Sequence, residues 1–229
     1  MPMEPPLSAT PSSVVPIFAT PFGVLPLPAA EKLNPVVAGL FAARASTDTV
    51  GAAQTSKMLC YRSGDDLLDW TDEPLRKVTG EVLRGVRSVV AAVNDFTALQ
   101  LQSLAIQARG WFTIVRQDGC LPATSYPLTS WCAIYCVEAP QPSPERRDSG
   151  VLRLYESRLG TMFTDATNSV TRIPYTPGHY TWRPVPGQVA VFPASITHEI
   201  ALIRAPGQLT LLTVRARFVA PGQQGLSRW

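Results

Sequence analysis

The chain has 229 residues, a formal charge of +3, 45% hydrophobic residues and 16% charged ones, enough for one domain with a sizeable core. It carries no basic block or aromatic-basic stripe that would suggest nucleic acid. No run approaches the roughly 20 apolar residues that cross a bilayer, and 22 prolines cut the chain into short segments, which favours strands over a helical bundle.

Residues 1–13 are rich in proline and serine and read as a flexible lead rather than a signal peptide, leaving 14–229 as a single domain. Val14–Leu27 reads as an opening strand and turn. Ala30–Ala45 has helical composition, with Leu33, Val37, Leu40 and Phe41 on one face and Pro35 tolerated near the first turn. Gly51–Asp69 is polar and irregular. The clearest helix follows: Thr71 or Asp72 can cap it, Glu73 suits its positive end, and Pro74 fits the first turn. Val78, Val82, Leu83, Val86, Val89, Val90, Val93 and Phe96 recur every three or four residues. The pattern either continues to Ala108 or restarts near Leu99, and Gly110 is expected to end it.

From Trp111 the period changes. Gly110–Val115, Ser130–Val137, Val151–Tyr155, Thr181–Arg183, Gln188–Phe192, His198–Ile203 and Gln208–Val219 read as strands, rich in Val, Ile, Leu, Tyr and Trp and bounded by turn residues. Ala139–Gly150 reads as a polar loop. A helical part at about 30–109 and a β core at about 110–219 make an α+β layout, with helices bracing a β-sandwich. Cys60, Cys120, Cys132 and Cys136 form no C-x-x-C pair and read as reduced thiols, with Cys132 and Cys136 on one strand face. They suggest a cytoplasmic protein.

Several segments, taken in order, resemble bacterial and phage 2-oxoglutarate/Fe(II) oxygenase-like proteins of the prolyl-hydroxylase branch. Phe18-Ala19-Thr20-Pro21-Phe22 is similar to the end of that family's opening strand, and Trp111 to the tryptophan of its first core strand. Ser130–Val137 with Glu138-Ala139-Pro140, and the stretch from Gly150 to Arg158, resemble two further strand motifs. Pro186–His198, with Phe192-Pro193 and His198, looks like "G-x-L-v-L-F-P-s-x-L-x-H". The resemblance implies a double-stranded β-helix, or jelly roll, of the cupin-like kind, braced by N-terminal helices.

The same resemblance exposes missing chemistry. The family holds iron with H-x-D or H-x-H and a distal histidine, a facial triad that leaves positions open for 2-oxoglutarate and dioxygen. Counting from Trp111, and back from Cys132-Ala133, puts Thr124 and Tyr126 where the first pair belongs. His198 matches the distal ligand. A hydroxyl and a protonated phenol are poor ligands. Gln208 stands where the family's 2-oxoglutarate-binding arginine belongs, and an amide cannot neutralise a carboxylate. Arg204, Arg215 or Arg217 are the candidates to replace it. A rebuilt triad from His179, His198 and Asp118 or Glu199 has no ligand spacing to recommend it.

The expectation is therefore no metal and no cofactor. Thr124, Tyr126, His198 and Gln208 converge on a pocket, with Trp111 and Arg158 beside it. Three readings stay open. The first is a small-organic-ligand protein, with metal-independent acid–base catalysis by His198 and Tyr126 as one version. The second is a non-catalytic partner or scaffold, such as a dimer subunit of a true oxygenase; a homodimer is a separate expectation. The third is an atypical but active hydroxylase using Fe(II) and 2-oxoglutarate.

Overall fold

The computed structural model describes residues 16–48, 59–142, 144–157, 171–173, 175 and 178–222. The 1–13 lead, most of Gly51–Leu59 and Arg158 lie outside the described residues.

Among the described residues, thirteen strands and α-helices follow in chain order: β1 (Gly23–Pro26), α1 (Ala30–Thr47), β2 (Cys60–Arg62), α2 (Glu73–Val93), α3 (Ala98–Ser103), β3 (Ala105–Arg116), β4 (Leu121–Thr124), β5 (Trp131–Glu138), β6 (Leu152–Tyr155), β7 (His179–Trp182), β8 (Gln188–Pro193), β9 (His198–Ile200) and β10 (Gln208–Val219), with a 3-10 turn at Leu67–Asp69. The strands form two antiparallel sheets. The larger runs β1-β8-β5-β10-β3-β2 and the smaller β4-β9-β6-β7. Packed together they make the jelly roll.

The larger sheet is covered on both faces, which explains why its central strands read as unbroken apolar runs. Alternation along β5 sorts the side chains. Cys132, Ile134 and Cys136 point into the barrel, where they meet Leu152, Leu154, Phe192, Ile200 and Leu211. Ala133, Tyr135 and Val137 point to the helices. There Val37 and Phe41 of α1 and Leu75, Val78, Val82, Val86, Val89 and Val90 of α2 complete a second core. Phe41 stacks on Phe112 at 4.1 Å between centroids, a contact worth about 1 kcal/mol beyond the area it buries. A buried polar link joins the layers: Tyr135 Oη donates to Asn34 Oδ1 at 2.5 Å, and Asn34 Nδ2 donates to the Val137 carbonyl at 2.9 Å.

The helices meet expectation with local differences. Asp72 is the N-cap residue of α2, but its side chain makes no capping bond. The helix stops at Val93, and Thr97 and Gln100 form a capping box that starts α3, two orphan donors being satisfied reciprocally. Phe96, expected on the apolar helix face, falls between the helices and is exposed.

Gly110 does not end a helix. The chain is already extended from Ala105, and Gly110 lies within β3 opposite Val214. A Cβ there would stand 3.2 Å from Leu68 Cγ and 3.3 Å from the Thr213 carbonyl oxygen. The glycine serves the close approach of the 3-10 turn to the sheet. Two short strands, β2 and β4, were also absent from the sequence pattern. Each is an edge strand held by its neighbour, β3 and β9 respectively.

Candidate functional site at the mouth of the barrel

β4 and β9 bring together the three residues that the resemblance assigns to the triad. Thr124 and His198 are antiparallel partners. Tyr126 follows β4 immediately, anchored by its N–H donating to the Ala194 carbonyl at 2.7 Å. Its ring meets the His198 imidazole edge-on at 5.6 Å and the Trp111 indole at 5.4 Å. Phe192 closes the other side of His198 at 5.0 Å.

His198 is only 4% exposed. Its Nδ1 lies 2.9 Å from the Ile196 carbonyl. A carbonyl only accepts, so Nδ1 carries the proton and Nε2 holds the lone pair. Burial lowers the imidazole's pKa, against a smaller opposing effect of the Ile196 bond. Burial also raises the Tyr126 phenol well above its ordinary value; Cys132 adds to this, and Arg62 and Arg215 oppose it.

Two arginines frame the site. Trp111 lies between Arg62, 4.4 Å from its ring centre, and Arg215, 5.9 Å from it. Arg215 also stands 6.0 Å over the Tyr126 ring. Both guanidiniums share Asp65, Arg62 at 2.5 Å and Arg215 at 3.0 Å. Arg62 and Asp65 belong to a stretch that reads as irregular. Their only sequence signal is a pair of opposite charges three residues apart.

The arrangement of these strands has known counterparts. No family model and no curated protein matches the chain. Among solved structures, the Pseudomonas putida prolyl-4-hydroxylase is similar with a TM-score of 0.55 and 12% identity, over 86% of this chain and 92% of that one. A prolyl hydroxylase from Trichoplax adhaerens, solved with a hypoxia-inducible-factor peptide, matches with a TM-score of 0.52 and 11% identity, over 86% and 83% of the two chains. The non-heme, α-ketoglutarate-dependent epimerase SnoN from nogalamycin biosynthesis matches with a TM-score of 0.56 and 10% identity, over 86% and 78%. The chain has a 2-oxoglutarate/iron(II) oxygenase-like fold.

Within this oxygenase-like barrel, the other expected residues take different places. Gln208 opens β10 opposite Arg116, whereas Trp111 is opposite Thr213; Gln208 is thus five residues along the strand from the tryptophan's level. Its Nε2 donates to Glu138 Oε2 at 2.9 Å, and Thr210 Oγ1 donates to the same oxygen at 3.1 Å. The structure therefore ties Gln208 to Glu138 rather than gathering it with Tyr126 and His198. Arg204 is exposed in the β9–β10 loop. Arg217 donates to Gln107 at 2.7 Å, and Arg215 is engaged by Asp65.

His179 pairs with Tyr155, whereas His198 pairs with Leu154, so the two imidazoles project to opposite faces of the smaller sheet. Glu199 is bound by Arg153 at 3.0 Å on the outer face. No group of three or more His, Cys, Asp and Glu suited to a metal occurs among the described residues. All four cysteines are thiols, three of them buried.

A cleft of about 650 Å³ opens beside the mouth, between the Ile17–Phe22 segment, the end of β6 and the start of β7. Leu154 and Ile196 form its inner wall. Phe22 packs on Tyr180 at 5.1 Å, Trp182 at 6.3 Å and Phe192 at 6.2 Å, so a phenyl ring of the opening segment stands between this cleft and the barrel interior. Thr124, Tyr126, His198, Gln208 and Trp111 are not among its lining residues.

Proposed function

We propose that this oxygenase-like protein holds neither iron nor 2-oxoglutarate and receives a small organic ligand at the mouth of its barrel. The observation that carries this reading is the meeting of Thr124, Tyr126 and His198 at the triad positions. Only the imidazole is a good ligand for ferrous iron. The threonine hydroxyl is neutral, and burial keeps the Tyr126 phenol protonated. Arg215 adds a guanidinium 6.0 Å from the Tyr126 ring, an unfavourable neighbour for a divalent cation. These residues do not fit an iron centre.

The co-substrate site supports the same reading. Gln208 is held by Glu138, whose carboxylate would repel that of 2-oxoglutarate. The barrel interior is lined by apolar residues and thiols, Leu154, Cys132, Ile134, Phe192 and Leu211 among them, which offer no charge to an anion.

A metal-independent acid–base version assigns His198 Nε2 as the proton acceptor, because Nδ1–H is committed to Ile196. Tyr126, with its raised pKa, serves as a hydrogen-bond donor rather than a base. The second reading, a non-catalytic partner or scaffold, draws on the packing of Tyr126 and Phe192 against a histidine that is 4% exposed, with Trp111 behind Tyr126. The buried thiols suit a reducing compartment, hence the cytoplasm.

The test is an anaerobic titration of metal-stripped protein with ferrous iron and 2-oxoglutarate, followed by charge-transfer absorption and metal analysis. The expected result is no band and no retained iron. A saturable band at about one iron per chain restores the active hydroxylase reading. Unchanged turnover in Tyr126→Phe and His198→Ala, once an activity is found, removes the acid–base version.

A further inference from the structure

The segment leading into β1 is held quite differently from β1 itself. Gly23 is a fixed point: a Cβ there would stand 2.4 Å from Val89 Cγ2, so the strand sits directly on α2, and pairing with β8 starts at Gly23. Upstream of it, Ile17–Pro21 makes no hydrogen bond to the described residues. Ile17 is 69% exposed and Phe18 85%. Ala19 and Thr20 border two separate hollows, the cleft beside the mouth and a groove of about 520 Å³ walled by Val93, Asn94, Trp131 and Pro193. A segment with few contacts, no backbone bonds and open space around it lies at the low end of local stability.

The inward anchor of this segment is Phe22. Its partly buried ring packs on Tyr180, Trp182 and Phe192, and Phe192 in turn lies against His198. Two residues of the cleft wall also reach the histidine: Ile196 accepts from its Nδ1, and Leu154 is its strand partner. We propose that Ile17–Phe22 is a strap latched by Phe22, and that withdrawal of this ring from Phe192 opens a path from the cleft to His198. The movement breaks the contacts of one side chain and leaves the β1–β8 ladder intact, with Gly23 as the fixed end. The proposal rests on the reading of His198 as part of a ligand-receiving mouth and adds the route of entry.

Labelling of the full chain with diethyl pyrocarbonate, mapped by peptide mass spectrometry, tests it. The reagent acylates an unprotonated imidazole nitrogen. The chain has two histidines, and the exposed His179 is the standard within each sample. Relative to His179, His198 is expected to label slowly in the wild type and at least about tenfold faster in Phe22→Ala, with Phe22→Leu between the two. Val82→Ala, which opens a cavity in the helix-side core, is the control for general loosening: it should lower the thermal midpoint without speeding the labelling of His198. Should Phe22→Ala fail to fold, Phe22→Leu carries the comparison. Equal rates at His198 in the wild type and the Phe22 variants, wild-type labelling of His198 as fast as that of His179, or the same acceleration in Val82→Ala overturns the proposal. The readout needs neither metal nor organic ligand. A chain that retains ferrous iron and still shows the acceleration refutes the metal-free reading alone. A chain that retains no iron and shows no acceleration refutes the latch alone.

Discussion

Thr124 and His198 face each other as antiparallel partners across β4 and β9, so a threonine hydroxyl lies opposite the sole imidazole of the site. On the metal-free reading proposed above, the strands hold these positions together while the ligands are missing. Thr124→His combined with Tyr126→His should therefore create ferrous-iron binding at about one per chain. Histidine suits position 126 better than aspartate, because Arg215 beside it would capture a carboxylate. The cost is the Trp111–Tyr126 ring contact, about 1 kcal/mol. A folded double variant that retains no iron on metal analysis would show that the triad geometry has been lost along with its residues.

His198 should make stability depend on pH. Burial sets its folded pKa below the ordinary 6.5, so between the two values the unfolded chain binds one proton more than the folded one. Stability should fall as pH drops through about 6.5 and level off below the folded pKa. Urea unfolding of wild type and His198→Gln across pH 5–7.5 reads this directly: the variant should lose that part of the slope. Parallel curves for the two proteins would mean that the imidazole titrates alike in both states.

Placing an arginine at position 208 should not by itself confer 2-oxoglutarate binding. Glu138 already accepts from Gln208 and Thr210 and would pair with the new guanidinium. Calorimetry should detect no 2-oxoglutarate binding in Gln208→Arg. The double variant Gln208→Arg/Glu138→Gln is the more favourable case for the anion. Tight binding by the single variant would contradict the role assigned to Glu138.

The clamp around Trp111 should contribute more through packing than through charge. Asp65→Asn removes the carboxylate shared by Arg62 and Arg215, a half-exposed arrangement worth about 1 kcal/mol or less. Trp111→Ala removes an indole that is 3% exposed and should cost about 3–5 kcal/mol. Chemical denaturation midpoints measure both. A larger loss from Asp65→Asn than from Trp111→Ala would reverse this ranking.

Much of the architecture is legible in the residues. Val78, Val82, Val86 and Val89 repeat at helical spacing because one face of α2 must reach the sheet, and β5, β8 and β10 are apolar on both faces because both are covered. The order of the motifs also locates Thr124, Tyr126 and His198, since strand sequence sets which residues end up at one rim of a jelly roll. The helix–strand boundary at Leu104 is less visible: Gly110 reads locally as a helix stop, and its purpose lies in a contact with Leu68. β2 and β4 are too short to carry a period.

The sequence by itself therefore determined the jelly roll and its bracing helices, because periodicity and motif order are local properties of the chain. Only the tertiary structure decided that Gln208 answers to Glu138, that Arg62 and Arg215 close on Trp111 through Asp65, and that an aromatic cleft opens beside Phe22. Arg215 and Asp65 are 150 residues apart. Pairing over that distance follows from strand register and side-chain direction, which no short stretch of sequence encodes.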